Sequence, residues 1–266
     1  MAFEIFKRAI KDKAFSTILI ALLLFLYIFW LASFYPSLKP MVSGYDQLLQ
    51  NPTIKAFFGD DVVSMTTFSG FISLEVFSYM GLVIGAFIIF MVASFVAGEI
   101  EQKSSELLLS LPVSRENIIV SRFLAILPLT ALIVIGEMAA IYLGGLYIGE
   151  NIGITWFAYA MLFMAVFTVA VGAIALFISS IMSDGKKAAL ISVGILFAMF
   201  LVENIGSMVT SIDWARKLSL FHYAKISSII NNHQISWVNL GVLIAVIIVF
   251  LALAVIAFRR RDINVS

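Results

Sequence analysis

Six long apolar stretches, each bounded by charged residues, organise the 266-residue chain. A helix needs roughly 20 apolar residues to cross the ~30 Å hydrocarbon core of a bilayer. No charge occurs between Lys13 and Lys39, and Phe15 to Tyr35 is the first predicted span. Between Glu75 and Glu99 lie 23 uncharged residues, which place the second span over 76–97. The third is predicted over 118–147, interrupted by Pro128 and Glu137, and the fourth over 156–182. The fifth, over 188–209, passes Glu203, and the sixth, over 238–258, comes after an interfacial Trp237. The expected fold is an all-α membrane protein forming one transmembrane domain over residues 1–266. A cleaved signal peptide is the competing reading of the N-terminus. Its apolar region would be shorter and would end in small residues, whereas this run ends in Tyr35-Pro36.

The flanks add detail. Phe3, Phe6, Ile10 and Ala14 recur at helical spacing while Lys7, Lys11 and Lys13 take another face. This predicts a short amphipathic helix at the membrane interface before span one, or else a charged leader that only enforces orientation. The segment from Pro36 to Ser73 is turn-rich, with room for a short helix over 46–58. Basic residues divide unequally between alternate sides. Lys7, Arg8, Lys11, Lys13, Lys103, Arg115, Arg122, Lys186, Lys187, Arg259, Arg260 and Arg261 fall on one side. Lys39, Lys55, Arg216, Lys217 and Lys225 fall on the other. The richer side is expected to be the cytoplasm, with both termini there.

Composition agrees with the pattern. The chain is 62% apolar and 12% charged, with a mean hydropathy of +1.07. So few charges cannot clothe a soluble domain of this size. The net charge of +1 excludes a generalised nucleic-acid binder. There is no cysteine, which removes disulfides, thiolate metal sites and cysteine nucleophiles. Only His222 and His233 are present, too few for a histidine metal cluster, and they read as surface or interface residues. The chemistry is expected to come from another chain.

The loop between spans two and three is unusual. It carries Glu99, Glu101 and Glu106, then Leu107, Leu108, Leu109 and Leu111, then Pro112 and Arg115. A solvated connector has no reason to cluster leucines. One helical turn bearing them would present an apolar knob beside Glu106, suited to a groove on another protein. The other reading lays the leucines back on the membrane surface. Ser114 is placed to cap a helix starting at Arg115, with Glu116 in its first turn. From there to Tyr147 the third helix would run roughly 50 Å, longer than the bilayer is thick. Pro128 either kinks it or is simply tolerated.

This loop resembles the signature of the ABC-2 family of ABC-transporter permeases: an acidic Glu-x-Glu pair, a few small residues, then Leu-Leu-Ser-x-Pro-Val-Ser-Arg. Glu99, Glu101, Leu108, Leu109, Ser110, Pro112, Val113, Ser114 and Arg115 match. Ser104-Ser105 stands where the family often has Gly-Thr. The ending Phe258-Arg259-Arg260-Arg261-Asp262-Ile263 and the run Leu218-Ser219-Leu220-Phe221-His222-Tyr223 are also similar, so the resemblance covers the whole chain. It implies the permease half of an ATP-driven transporter of the cell membrane, most simply an exporter. It also implies two ABC ATPase subunits and a second permease copy or paralogue as partners. ATP and Mg would be bound by the ATPases and no cofactor by this chain. The loop would be the coupling helix, with Glu99, Glu101, Glu106, Leu107, Leu108, Leu109, Pro112 and Arg115 as coupling residues. The residues agree on one negative point. A phosphate-binding P-loop needs a glycine-rich turn ending Gly-Lys-Ser/Thr. The only Gly-Lys is Gly185-Lys186, followed by Lys187 with no glycine five residues earlier.

Three intramembrane acids remain. Glu137 and Glu203 lie roughly 22 and 24 Å along outward-running helices, and Glu75 starts span two at the outer face. Ionisable groups at this depth are costly toward lipid and should face a bundle interior or water. They are candidates for the outer part of a translocation path. The alternative is that they tie helices together, with Arg216, Lys217 or Lys225 as partners. Glu137 leans to packing, because it adjoins the small-residue ridge Gly136-x3-Ala140-x3-Gly144. Gly81-x3-Gly85 reads as a second packing face. A proton-coupled carrier would call for an inverted repeat with broken helices, of which no convincing trace appears. A non-transporting scaffold would have no use for the docking loop. Nothing in the sequence selects a cargo.

Overall fold

The structure, a computed structural model, describes residues 2–49, 64–101 and 113–261. Among these residues there is no strand, and six helices are long and apolar enough to cross a membrane. The first, α1, runs unbroken from Ala2 to Leu49. This corrects both the separate interfacial helix and the turn-rich start of the segment after span one. No glycine or proline interrupts the chain before Pro36, and the Thr17 hydroxyl donates back to the Lys13 carbonyl at 2.9 Å. Ile5 and Ala9 are buried, so the N-terminal turns pack on the bundle in line with the span. Pro36 and Pro40 each remove one N–H, but they lie four residues apart and the helix continues through them. Beside them the Tyr35 hydroxyl donates to the Thr66 carbonyl. The short helix expected over 46–58 is helical as far as Leu49, and its remainder lies outside the described residues.

Span two is built in pieces. The Thr67 hydroxyl accepts from the Gly70 N–H at 3.1 Å and starts α2 (Phe68–Ile72). One π-helical turn, Ser73–Phe77, comes next, then α3 (Ser78–Ala93). After a break at residues 94–96 comes α4 (Ala97–Glu101). Span three is α5 (Arg115–Tyr147), with the Ser114 hydroxyl accepting from the Asn117 N–H at 3.3 Å, at the position the sequence indicates. Span four is α6 (Ile154–Ile181) and span five is α7 (Gly185–Met208). Asp184 caps α7 by accepting from the Lys187 N–H at 3.0 Å, and that bond holds its carboxyl below the usual range. A 3₁₀ turn (Thr210–Ile212) leads to three short helices: α8 (Asp213–Arg216), α9 (Leu220–Ala224) and α10 (Ile226–Asn232). Span six is α11 (Trp237–Arg260).

The packing order reflects the small residues. The central helix is α6, with Ala160, Met164, Phe167, Ala170, Ala173 and Leu176 buried. The Gly136–Ala140–Gly144 ridge of α5 faces α1: a Cβ on Gly144 would lie 2.5 Å from the Ala32 Cβ, and one on Gly136 3.6 Å from the Ala21 carbonyl oxygen. Because both residue numbers rise together, α1 and α5 are parallel. The Gly81–Gly85 face of α3 packs on α6, α7 and α9 through Phe167, Val171, Leu196 and Phe221. By contrast α7 and α11 keep long apolar faces exposed, among them Leu190, Phe197, Ile248 and Ile256. In a bilayer such faces meet hydrocarbon without penalty.

Candidate functional site

The end of the bundle rich in lysine and arginine is where the segment between spans two and three is rooted. The leucine run Leu107, Leu108, Leu109 and Leu111, with Glu106 and Pro112, lies outside the described residues. Its two flanks do not. On the span-two side, Glu99 pairs with Arg122 of α5. Arg122 is almost wholly buried and also lies over the Phe95 ring, 5.5 Å from its centroid. Glu101 reaches span five, its Oε2 accepting the Gly185 N–H at 2.9 Å. An N–H in the first turn of a helix has no partner within that helix and suits a carboxylate. The approach is possible because Gly185 and Gly98 meet backbone to backbone: a Cβ on Gly185 would sit 3.0 Å from the Gly98 Cα.

On the span-three side, the Arg115 guanidinium donates to the Arg261 carbonyl at 2.5 Å. Next to it, Glu116 pairs with Arg259 at 3.2 Å, an exposed contact worth little by itself. Arg261 in turn donates to the Ser180 and Met182 carbonyls at 2.9 and 2.8 Å. It thereby takes up C-terminal carbonyls of α6, which have no partner inside the helix. Burial against this end pulls the Arg261 pKa below its ordinary value. The two flanks of the loop are thus bonded to spans three, five and six, and through Arg261 to span four. Counting charges along the chain does not show this, because it treats Arg122, Arg259 and Arg261 only as orientation signals. A cue does exist for Arg122: it is a charged residue inside a predicted span, where a carboxylate partner is expected.

The opposite end holds two of the three intramembrane acids. Glu203, on α7, accepts from Arg216 of α8 through Nη2 at 2.7 Å and Nε at 3.2 Å. This bond raises the Arg216 pKa, and Asp213 adds a further contact at 2.9 Å. Gly206 makes room, because a Cβ there would fall 2.5 Å from the Arg216 Cγ. His222 Nδ1 lies 3.5 Å from the other Glu203 oxygen. Glu203 and Arg216 border a cavity of about 240 Å³ whose aromatic wall includes Phe77, Phe200 and Phe221. Glu75 sits half-buried in the π-helical turn, two residues before Phe77. Glu137 is elsewhere: it is wholly buried in α5, and among the described residues neither oxygen has a hydrogen-bond partner. The structure therefore brings Glu203 to one of the cations named for it, and leaves Glu137 apart from the cavity. His233 stacks on Trp156 with ring centroids 4.5 Å apart, beside a second cavity of about 570 Å³ bordered by Lys39 and Glu150.

Six apolar spans with a polar network at each end describe a transport bundle in general terms. The family decides which kind. The family model described as ABC-2 family transporter protein matches residues 4–263, nearly the whole chain. The chain belongs to the ABC-2 transporter family. No curated protein matches it. As an ABC-2 protein it is a multi-pass membrane permease, the transport component of an ABC system and not itself a catalytic enzyme. Glu99, Glu101 and Arg115, matched to the ABC-2 loop pattern by sequence, are the residues that anchor the flanks of that loop to the other spans.

Proposed function

We propose that this chain is the permease half of an ATP-driven exporter, and that its ATPase subunits dock on the segment from Glu99 to Arg115. Two ATPases and a second permease copy or paralogue complete the assembly in the cell membrane, with the basic end toward the cytoplasm. ATP and Mg stay on the ATPases. The observation that carries this reading is the anchoring of both loop flanks. A connector that merely joined two spans would not need Glu101 on the N-terminus of span five and Arg115 on the last residues of span six. A loop that must pass force to several helices would. In this reading Leu107, Leu108 and Leu109 enter the ATPase groove, Glu106 borders it and Pro112 ends the knob.

Leu108→Asp places an unpaired carboxylate in that contact, at a cost of several kcal/mol. The variant is expected to insert normally yet no longer co-purify with its ATPase. A pull-down normalised to permease amount measures this, and unchanged association would overturn the docking reading. The milder Glu106→Gln, which keeps the shape, should retain partial association.

The same reading sends cargo past the cavity at the opposite end, with Glu203 on its wall and Glu75 close by, while Glu137 serves packing. Because the chain has no native cysteine, Glu203→Cys offers a clean target. It is expected to react with polar thiol reagents in at least one nucleotide state of the complex. Protection in every state would remove Glu203 from the path.

A further inference from the structure

Span two contains neither glycine nor proline at Ser94, Phe95 or Val96, yet its helix stops at Ala93 and resumes at Ala97. An unbroken helix would join the Ala97 N–H to the Ala93 carbonyl. Instead the Ser179 hydroxyl of α6 takes both partners. It accepts from the Ala97 N–H at 3.0 Å and donates to the Ala93 carbonyl at 3.1 Å. Ser179, Ala93 and Ala97 are all buried, so water does not compete for these groups. Insertion of a side chain into the helical ladder is a recognised cause of a bend.

The break comes immediately before α4 and so sets how that helix is placed. Gly98 is brought against Gly185, Glu101 reaches the Gly185 N–H, and Glu99 meets Arg122. These are the contacts that root the loop on the span-two side. The arrangement also has a counterpart with the same number of hydrogen bonds. A serine inside a helix ordinarily donates to the carbonyl four residues back, here that of Ala175. If Ser179 turned to Ala175, the Ala97 N–H and Ala93 carbonyl would be free to bond each other and the helix would straighten. Two arrangements balanced in this way make a bistable element.

We propose that Ser179 is a positioning residue for coupling: its hydroxyl stands in for one hydrogen bond of span two and sets the angle at which the docking loop leaves the membrane. This rests on the reading that the ATPase docks beyond Glu101.

The test uses the assembled complex of permease and ATPase. Cysteines replacing Ile100, on α4, and Leu190, exposed on α7, carry spin labels, and pulsed electron paramagnetic resonance reads the distance between them. Ser179→Ala should shift the distance distribution by several ångström and lower ATP hydrolysis per assembled complex several-fold, with permease abundance unchanged. Ser179→Gly also lacks the hydroxyl and should give the same shift. Ser179→Thr keeps it and should restore both the distance and the hydrolysis. A role in packing alone predicts the reverse order, with the smaller alanine harmless and the larger threonine disruptive. That order would overturn the proposal, as would an unchanged distance in Ser179→Ala or a shifted distance with unchanged hydrolysis. The docking reading fails separately. If Leu108→Asp leaves ATPase association intact, docking on the loop is wrong. If Leu108→Asp abolishes association while Ser179→Ala leaves the distance unaltered, only the role of Ser179 is lost.

Discussion

Replacing Arg122 with methionine is expected to destabilise the permease by about 3 kcal/mol, because removing one partner of a buried ion pair strands the other charge. Arg122 is almost entirely shielded, whereas its partner Glu99 keeps about a quarter of its side chain exposed. Methionine preserves the length and apolar stem of arginine while deleting the charge and the contact with the Phe95 ring. Glu99 then loses its closest cation and keeps only the weaker influence of Arg8 and Lys13. If stranding is the cause, the companion change Glu99→Gln should recover more than half of the loss, since replacing both members of a buried pair is often close to neutral. Loss of monodisperse protein on heating in detergent provides the measurement, made on both single variants and the double. A double variant no more stable than Arg122→Met would mean that the arginine acts through packing and not through its charge.

Gly144→Leu is expected to be of similar size for a different reason. The Cβ alone would come to 2.5 Å from the Ala32 Cβ, and leucine adds three further carbons. Overpacking of a close contact typically costs about 1–3 kcal/mol, and more when the backbone has to yield. Here neither side has a flexible tip to move aside, because the obstacle is an alanine on a long helix. The variant should separate α1 from α5, lower the amount of folded permease and expose the N-terminal helix to protease. Gly194→Leu is the control. A Cβ on Gly194 meets nothing within 4 Å, and leucine is the better helix former by up to about 1 kcal/mol. Equal behaviour of the two variants in the same thermal assay would refute the close-packing account.

The six spans are readable from sequence because a bilayer demands length and apolarity together, and few other environments do. The start of α5 is readable for a local reason, since Ser114 can cap only the helix that begins after it. Features decided at a distance are not readable. The break in span two has no breaker residue, and its cause is a serine more than 80 positions later in the chain. The π-helical turn at Ser73–Phe77 likewise leaves no mark in composition. The continuity of α1 is hidden because its change from charged to apolar character suggests a boundary. A change of polarity along a helix marks where the solvent changes and need not end the helix. For the candidate site, the acidic pair and Arg115 stand out through motif spacing, but their partners on spans three, five and six do not. Glu203 is legible only as a choice between cargo path and ion pair. Its bond to Arg216 requires α8 to fold back over the end of α7.

The parallel seating of α1 on α5 has a mechanical consequence. Two helices joined along a ridge of small residues bend together, and a pair resists bending far more strongly than either rod alone. At the far end the pair is closed by Lys39 against Glu150, 3.6 Å apart, and at the near end it begins beside Arg115. In the coupling proposed above, a push on Arg115 would be shared by both helices and carried over roughly 50 Å of helix to the cavity that Lys39 and Glu150 border. A tilt of about 5° over that length displaces one end by about 4 Å, wide enough to admit or expel a water molecule on the far side of the membrane.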